Sequence, residues 1–309
     1  MHRCWKRPPS GIVLGALALL VLARQGCSVS GAQATMPYMP EESQAERRSP
    51  AMSPDQVVDR IRQKDLMVLQ TPGAIAPDAV PRLLPLLKDP DSEIRELTLR
   101  ALALVGGKEA RHAAISALRD PADPVRAAAG ELLLKHPDKA DLQALYTELA
   151  SNRDEGVRED VARVISRIGD PSSLEPLRAE FAREADDRAR HATSLALARL
   201  HDPQHRRAYI EELHAPEAPR RAVAVRDFPE VNDASMLPDL IQLLDDQREA
   251  LDVGTSRKRL MIRVCDVVVM VLDAHFNHPF DFEVQRRKRY STEELNAAKA
   301  VLKLRASPR

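Results

Sequence analysis

Asp89-Pro-Asp-Ser-Glu-Ile-Arg-Glu-Leu-Thr-Leu-Arg-Ala-Leu-Ala-Leu-Val105 is the stretch that decides the fold. It opens with an acidic turn around a proline. Ile94, Leu97, Ala101, Leu104 and Val105 then recur at helical spacing, so one face of the helix is apolar and the other charged. The aliphatic-Arg pair near its start returns further on. Ile94-Arg95, Val125-Arg126, Val157-Arg158 and Ala189-Arg190 follow one another at steps of 31, 32 and 32 residues. A period of that length marks an array of stacked helical units.

Each unit repeats one internal logic. An acidic turn, such as Asp89-Pro90-Asp91 or Asp120-Pro121-Ala122-Asp123, precedes the long helix. There Asp caps the free N–H groups, and Pro fits a first turn that does not need its missing donor. A shorter helix is expected ahead of each turn, over 80–87, 111–118 and 141–149. One unit is thus a helical hairpin of about 30 residues, which buries its apolar face only against its neighbours.

The period, the Asp-Pro turn and the pair followed by small residues (Val125-Arg126-Ala127-Ala128-Ala129) resemble HEAT repeats of the short bacterial, phycobilisome-lyase-like style. The resemblance spans residues 79–276. It implies an all-α, right-handed solenoid and a ladder in which a turn Asp and the Arg six positions later bond between adjacent repeats. The matching positions are Asp89 with Arg95, Asp120 with Arg126, Asn152 with Arg158 and Glu184 with Arg190. The resemblance says almost nothing about activity.

Residues 1–34 hold Arg3, Lys6, Arg7 and Arg24 and no acid, with an apolar run over 11–23 and Ala32-Gln33-Ala34 at the end. That order is a secretory signal cleaved after Ala34, with lipidation at Cys27 as the second reading. The run is too short for a membrane span, which needs about 20 residues. Loss of this leader leaves 42 basic against 46 acidic residues and Cys265 as the last thiol, so no internal disulfide forms. The near-neutral charge gives no reason to expect nucleic acid as a partner. Residues 35–52 read as a flexible linker, and Ser53-Pro54-Asp55-Gln56 as a capping box opening a cap helix to about Leu69, with Val57, Ile61, Leu66 and Leu69 inward.

Beyond the fourth unit, Pro216, Pro219 and Pro229 predict a bend or irregular hairpin over 215–233. An apolar helix is expected over 260–272, and an extra loop of about 11 residues within 247–259. The repeat solenoid is expected over 53–276. Residues 277–309 form an aromatic and basic loop, with Phe280 and Phe282, and a closing helix capped by Ser291-Thr292-Glu293-Glu294.

Candidate chemistry is sparse. None of the nine His is followed by Glu, so the His-Glu pairs of the di-iron HEAT enzyme deoxyhypusine hydroxylase are missing. His201 and His205 have a chelating spacing but straddle Pro203; His275 and His278 flank a Phe-rich loop. Cys265 sits in an apolar run and reads as a buried thiol. The sequence therefore names no catalytic residue, metal or cofactor. Arg257, Lys258, Arg259, Arg286, Arg287, Lys288 and Arg289 are candidates for binding an anionic partner. The expected function is a non-enzymatic scaffold or adaptor of the cell envelope that holds a protein on its concave face. An enzyme or metalloprotein, or a cytosolic scaffold, is the alternative.

Overall fold

The computed structural model describes residues 52–70, 73, 75–254 and 259–306. The leader, Cys27, linker residues 35–51 and the basic residues Arg257 and Lys258 lie outside these. The rest is an all-α solenoid of six helical hairpins, with a helix at each end.

At the N-terminal end, α1 (Pro54–Arg62) is opened by Ser53, whose hydroxyl accepts from the Gln56 N–H while the Gln56 side chain accepts from Ser53 N–H. This helix stops short of the expected Leu69. Lys64 takes a left-handed φ of 57°, and Asp65 N–H reaches back to the Arg60 carbonyl, which closes the helix. The Lys64 amine then pairs with Asp91 and Glu93 at 2.8 and 2.6 Å. Val57 and Ile61 are buried as expected, but Leu66 is 55% exposed, and Val68 of the short α2 (Met67–Gln70) points inward instead.

The six hairpins follow in order. The first pairs residues 77–88, which include α3 (Val80–Leu83), with α4 (Ser92–Val105). The second is α5 (Lys108–Ala117) with α6 (Asp123–Lys135), and the third α7 (Leu142–Ser151) with α8 (Glu155–Ile168). The fourth is α9 (Leu174–Arg183) with α10 (Asp187–Arg199), and the fifth α11 (Pro203–Leu213) with α12 (Ala218–Val231). The sixth joins α13 (Leu237–Gln242) to α14 (Val264–His275), and α15 (Thr292–Ala306) closes the stack. Acidic caps set the helix starts. Asp91 accepts from Glu93 N–H, Asp154 from Val157 N–H, and Asp186 from the N–H groups of Arg188 and Ala189.

Two expectations are corrected here. The prolines of the fifth hairpin do not interrupt its second helix: Pro219 falls in the first turn of α12 and Pro229 in its last, and the helix is continuous between them. The insertion of the sixth hairpin is an antiparallel ribbon, β1 (Glu249–Asp252) with β2 (Met261–Arg263), rather than a plain loop. Residues 261–263 thus leave the expected helix, and Arg263 becomes the cap of α14, bonded to Asp266 and to the Tyr290 carbonyl. The tail behaves as a plug: Phe280 and Tyr290 are buried, and Phe282 stacks on Phe280 with ring centroids 5.4 Å apart.

The second helices α4, α6, α8, α10, α12 and α14 pack closely on one another in sequence, while successive first helices touch sparsely. Closer spacing places the second helices on the inner side of the curve. Between α6 and α8 a glycine permits it: Gly130, the eighth residue of α6, meets Asp160, the sixth of α8; buried Ala162 and Ala192 hold the equivalent positions of α8 and α10. A Cβ on Gly130 would lie 2.6 Å from Asp160 Oδ2 and 3.2 Å from its Cβ. Gly130→Val is therefore expected to cost about 1–3 kcal/mol of stability by overpacking. Urea unfolding should show this loss, while Ala127→Val on the exposed side of α6 stays within about 0.5 kcal/mol of wild type.

Candidate functional site

A ladder of arginines runs along the turns that join first to second helices. Each is the fourth residue of its second helix. Arg95 gives two bonds to Asp120 of the next turn, both 2.8 Å, and a third to its own turn's Asp89 carbonyl, also 2.8 Å. Arg126 donates to Asp154 at 2.5 Å and to the Asp120 carbonyl at 2.8 Å. Arg158 holds Glu184 at 2.6 and 2.9 Å and the Asn152 carbonyl at 2.9 Å. Arg221 holds Asp246 at 2.8 Å and the Ala215 carbonyl.

The geometry differs from the register implied by family resemblance. Within a repeat the Arg bonds the backbone of the residue six positions earlier, and its side-chain bond goes forward to the next turn. At the second junction the forward acceptor shifts from Asn152 to Asp154, because the amide of Asn152 carries no charge and its Nδ2 is donated to the Leu118 carbonyl. Arg221 joins the ladder although it was not among the four expected arginines. Its register, 31 residues after Arg190, was the available signal.

Arg190 does not join. The forward acceptor would be residue 215, and there the chain has Ala; Glu217, in the place that Asp154 fills at the second junction, pairs with Arg220 at 3.5 Å instead. Arg190 is exposed, its guanidinium stands 4.8 Å over the Phe181 ring, and among the described residues no carboxylate pairs with it. The apolar core divides at the same junction. Ala196 and Leu197 of α10 face the N-terminal part, and Leu195 and Ala198 face the C-terminal part. Between them sits buried His205, bonded to Ser194 at 3.0 Å and edge-on to Phe181.

A groove of about 470 Å³ opens beside this junction. Ser194 and Val223 hold the places that Ala162 and Ala192 hold one junction earlier, and α10 and α12 are less closely packed than α8 and α10. Its walls are His191, Leu195, Val223 and Ala224, and α11 supplies Ala208 and Tyr209. Val223 is 44% exposed, although apolar. Two ion pairs bound the groove. His191 Nε2 lies 2.9 Å from Asp227, whose carboxylate raises the imidazole pKa, and Arg220 binds Glu212. Tyr209, its pKa raised by burial, donates its hydroxyl to the Ala224 carbonyl at 2.7 Å, so this polar group is already satisfied.

The basic residues of the C-terminal end are not gathered into one free patch. Lys288 binds Glu294 at 2.6 Å and lies over Tyr290, while Arg289 binds Glu249 and the Met261 carbonyl. Arg259 pairs with Asp252 at 3.1 Å. Arg286 and Arg287 are exposed and, among the described residues, make no ion pair. The ribbon and α15 supply carboxylates that a linear reading of charge could not place.

The candidate histidines are engaged separately. His201 is exposed at a left-handed φ of 60° and lies 3.7 Å from Asp233, whereas His205 is buried. His278 bonds Asp273 at 2.7 Å, and His275 packs edge-on against Phe228 and Phe276. Among the described residues no three His, Cys, Asp or Glu side chains cluster to hold a metal. Burial pushes the Cys265 thiol up to about 11, so it carries little thiolate at neutral pH.

The family model described as HEAT repeats matches residues 59–134 and 113–198. The solved complex of CpcE and CpcF of phycocyanin lyase from Nostoc sp. PCC7120 is similar at 16% identity and a TM-score of 0.49, over 88% of this chain and 99% of that one. No curated protein matches.

The ladder gives two measurable contrasts. Arg95→Ala leaves the largely buried Asp120 without its partner and is expected to cost about 3 kcal/mol. Arg190→Ala should stay within about 0.5 kcal/mol of wild type by the same urea titration. Arg158 holds the Glu184 carboxyl down to about 2, so its stabilisation is full above pH 4.5 and is lost as pH falls toward 2. Glu184→Gln should lower the melting temperature at pH 7 and flatten its decline across that acid window.

Proposed function

We propose that this protein is a non-enzymatic adaptor of the cell envelope and holds a protein partner on the inner side of the solenoid, at the groove between α10 and α12. The observation that carries the reading is the exposed, apolar Val223 beside Leu195, Ala208, Tyr209 and Ala224 at the walls of a groove. Elsewhere on the inner side, Arg163 and Arg188 both bind Glu159, and Arg100 binds Glu96. Such paired charges present little apolar area to a partner. The groove instead offers a desolvated pocket for one or two side chains with a polar rim, the arrangement in which binding energy concentrates.

A stacked-helix scaffold suits this role because its inner helices are fixed by neighbours on both sides, so little ordering entropy is lost on binding. The basic leader and its apolar run support placement in the envelope. The exposed Arg286 and Arg287 are a second, weaker point of contact for an anionic partner.

A photo-crosslinking amino acid at position 223, introduced in cells, tests the reading. The expected result is one discrete protein adduct from that position and none from a control at Ala182, an exposed residue of α9. Equal, diffuse labelling from both would remove the docking role. Intact mass on the same sample tests location: a mature chain beginning at Thr35 supports export, and a chain retaining the leader without lipid removes it.

A further inference from the structure

We propose that Arg190 binds a carboxylate of the protein partner, in the place that the chain's own acidic side chain fills at the other rungs of the ladder. The inference rests on the docking role of the adjacent groove and names the chemistry of what docks there: an acidic segment whose Asp or Glu meets Arg190 and whose apolar side chain enters beside Val223.

The ladder itself is the template. Arg95, Arg126, Arg158 and Arg221 each hold an acidic side chain of the following turn, at Asp120, Asp154, Glu184 and Asp246. Arg190 has the same place in its helix and faces a turn in which Ala215 offers no acceptor and Glu217 is paired with Arg220. It makes neither the forward bond nor the backbone bond of its counterparts among the described residues. Phe181 supports the flat face of its guanidinium at 4.8 Å. A guanidinium stacked on one face keeps its edge N–H donors, which are the ones that grip a carboxylate in two parallel bonds.

Position supplies the second argument. Arg190 lies one helical turn before Ser194, which lines the groove, so the two share a face of α10, and Ala215 comes three residues after Glu212, which lines it too. The charges on the groove's own rim are matched, His191 with Asp227 and Arg220 with Glu212. Arg190 is therefore an unmatched charge beside the groove among the described residues, and it is positive. An acidic partner gains a charge-assisted bond there without displacing any bond the chain makes for itself.

A random nonapeptide library displayed on phage, selected against the full chain and sequenced, tests this. Parallel selections use Arg190→Gln, Ala215→Asp and Val223→Arg. Ala215→Asp supplies the missing acceptor from within the chain, and Arg190→Gln removes the donor while keeping most of the side chain. Melting curves establish that each variant folds, and either of the first two serves if the other does not. The expected result is enrichment of Asp or Glu at a fixed spacing from an apolar residue. Affinity of the selected peptides should fall at least tenfold on Arg190→Gln and on Ala215→Asp. Peptides that lose binding on Val223→Arg but show no acid preference would overturn the Arg190 assignment and leave the docking role standing. Acid enrichment that survives on both Arg190→Gln and Ala215→Asp would overturn it as well. If no peptide is selected on the wild type, the docking role fails and this assignment fails with it.

Discussion

The forward bond from an arginine in the fourth position of one second helix to an acidic side chain of the next turn is the contact on which the stack's geometry depends. Apolar burial drives the hairpins together, but it is nearly indifferent to how far one slides past the next. The ladder is directional. Arg95 grips Asp120 through two bonds while its remaining amino group holds the backbone of its own turn, so two successive turns are fixed at one spacing. Partly buried ion pairs of this kind are poor sources of net stability, because desolvation offsets much of the attraction. Their service here is register, and a missing partner is costly because it strands a charge.

Between the fourth and fifth hairpins that constraint is relaxed. The acceptor is Ala215, the arginine lies over Phe181, the core divides at α10, and the second helices part enough to expose Val223. These features share one cause. Without the rung, α10 and α12 lose the tie that Arg158 and Glu184 make between the third and fourth hairpins. The space that opens is apolar at its walls and charged at its margin.

The architecture was legible because stacked repeats encode it locally. The 31- and 32-residue steps, the acidic caps and the helical apolar stripe each depend on residues within one turn of one another. Ser53 and Gln56, or Ser291 and Glu294, could be read as capping boxes from spacing alone. Failures came where the determining contact was distant or conformational. The helix at 54–62 ends early because Lys64 takes a left-handed turn and reaches Asp91 and Glu93. The run at 261–263 is a strand because it pairs with 249–252, and the ribbon then brings Glu249 to Arg289. The prolines around α12 suggested a bend or irregular hairpin, but in its first and last turns they leave the helix continuous.

The sequence by itself determined that this chain is a helical solenoid, since period, caps and amphipathic spacing are properties of neighbouring residues. It also placed an Arg-bearing helix at each step and left the chain without a recognisable catalytic constellation. Only the tertiary structure decided which arginine is unlike the others. Arg190 and Arg158 stand in similar local sequence, but their acceptors lie 25 and 26 residues ahead, at Ala215 and Glu184, and the forward direction of the bond becomes visible only when the turns are stacked.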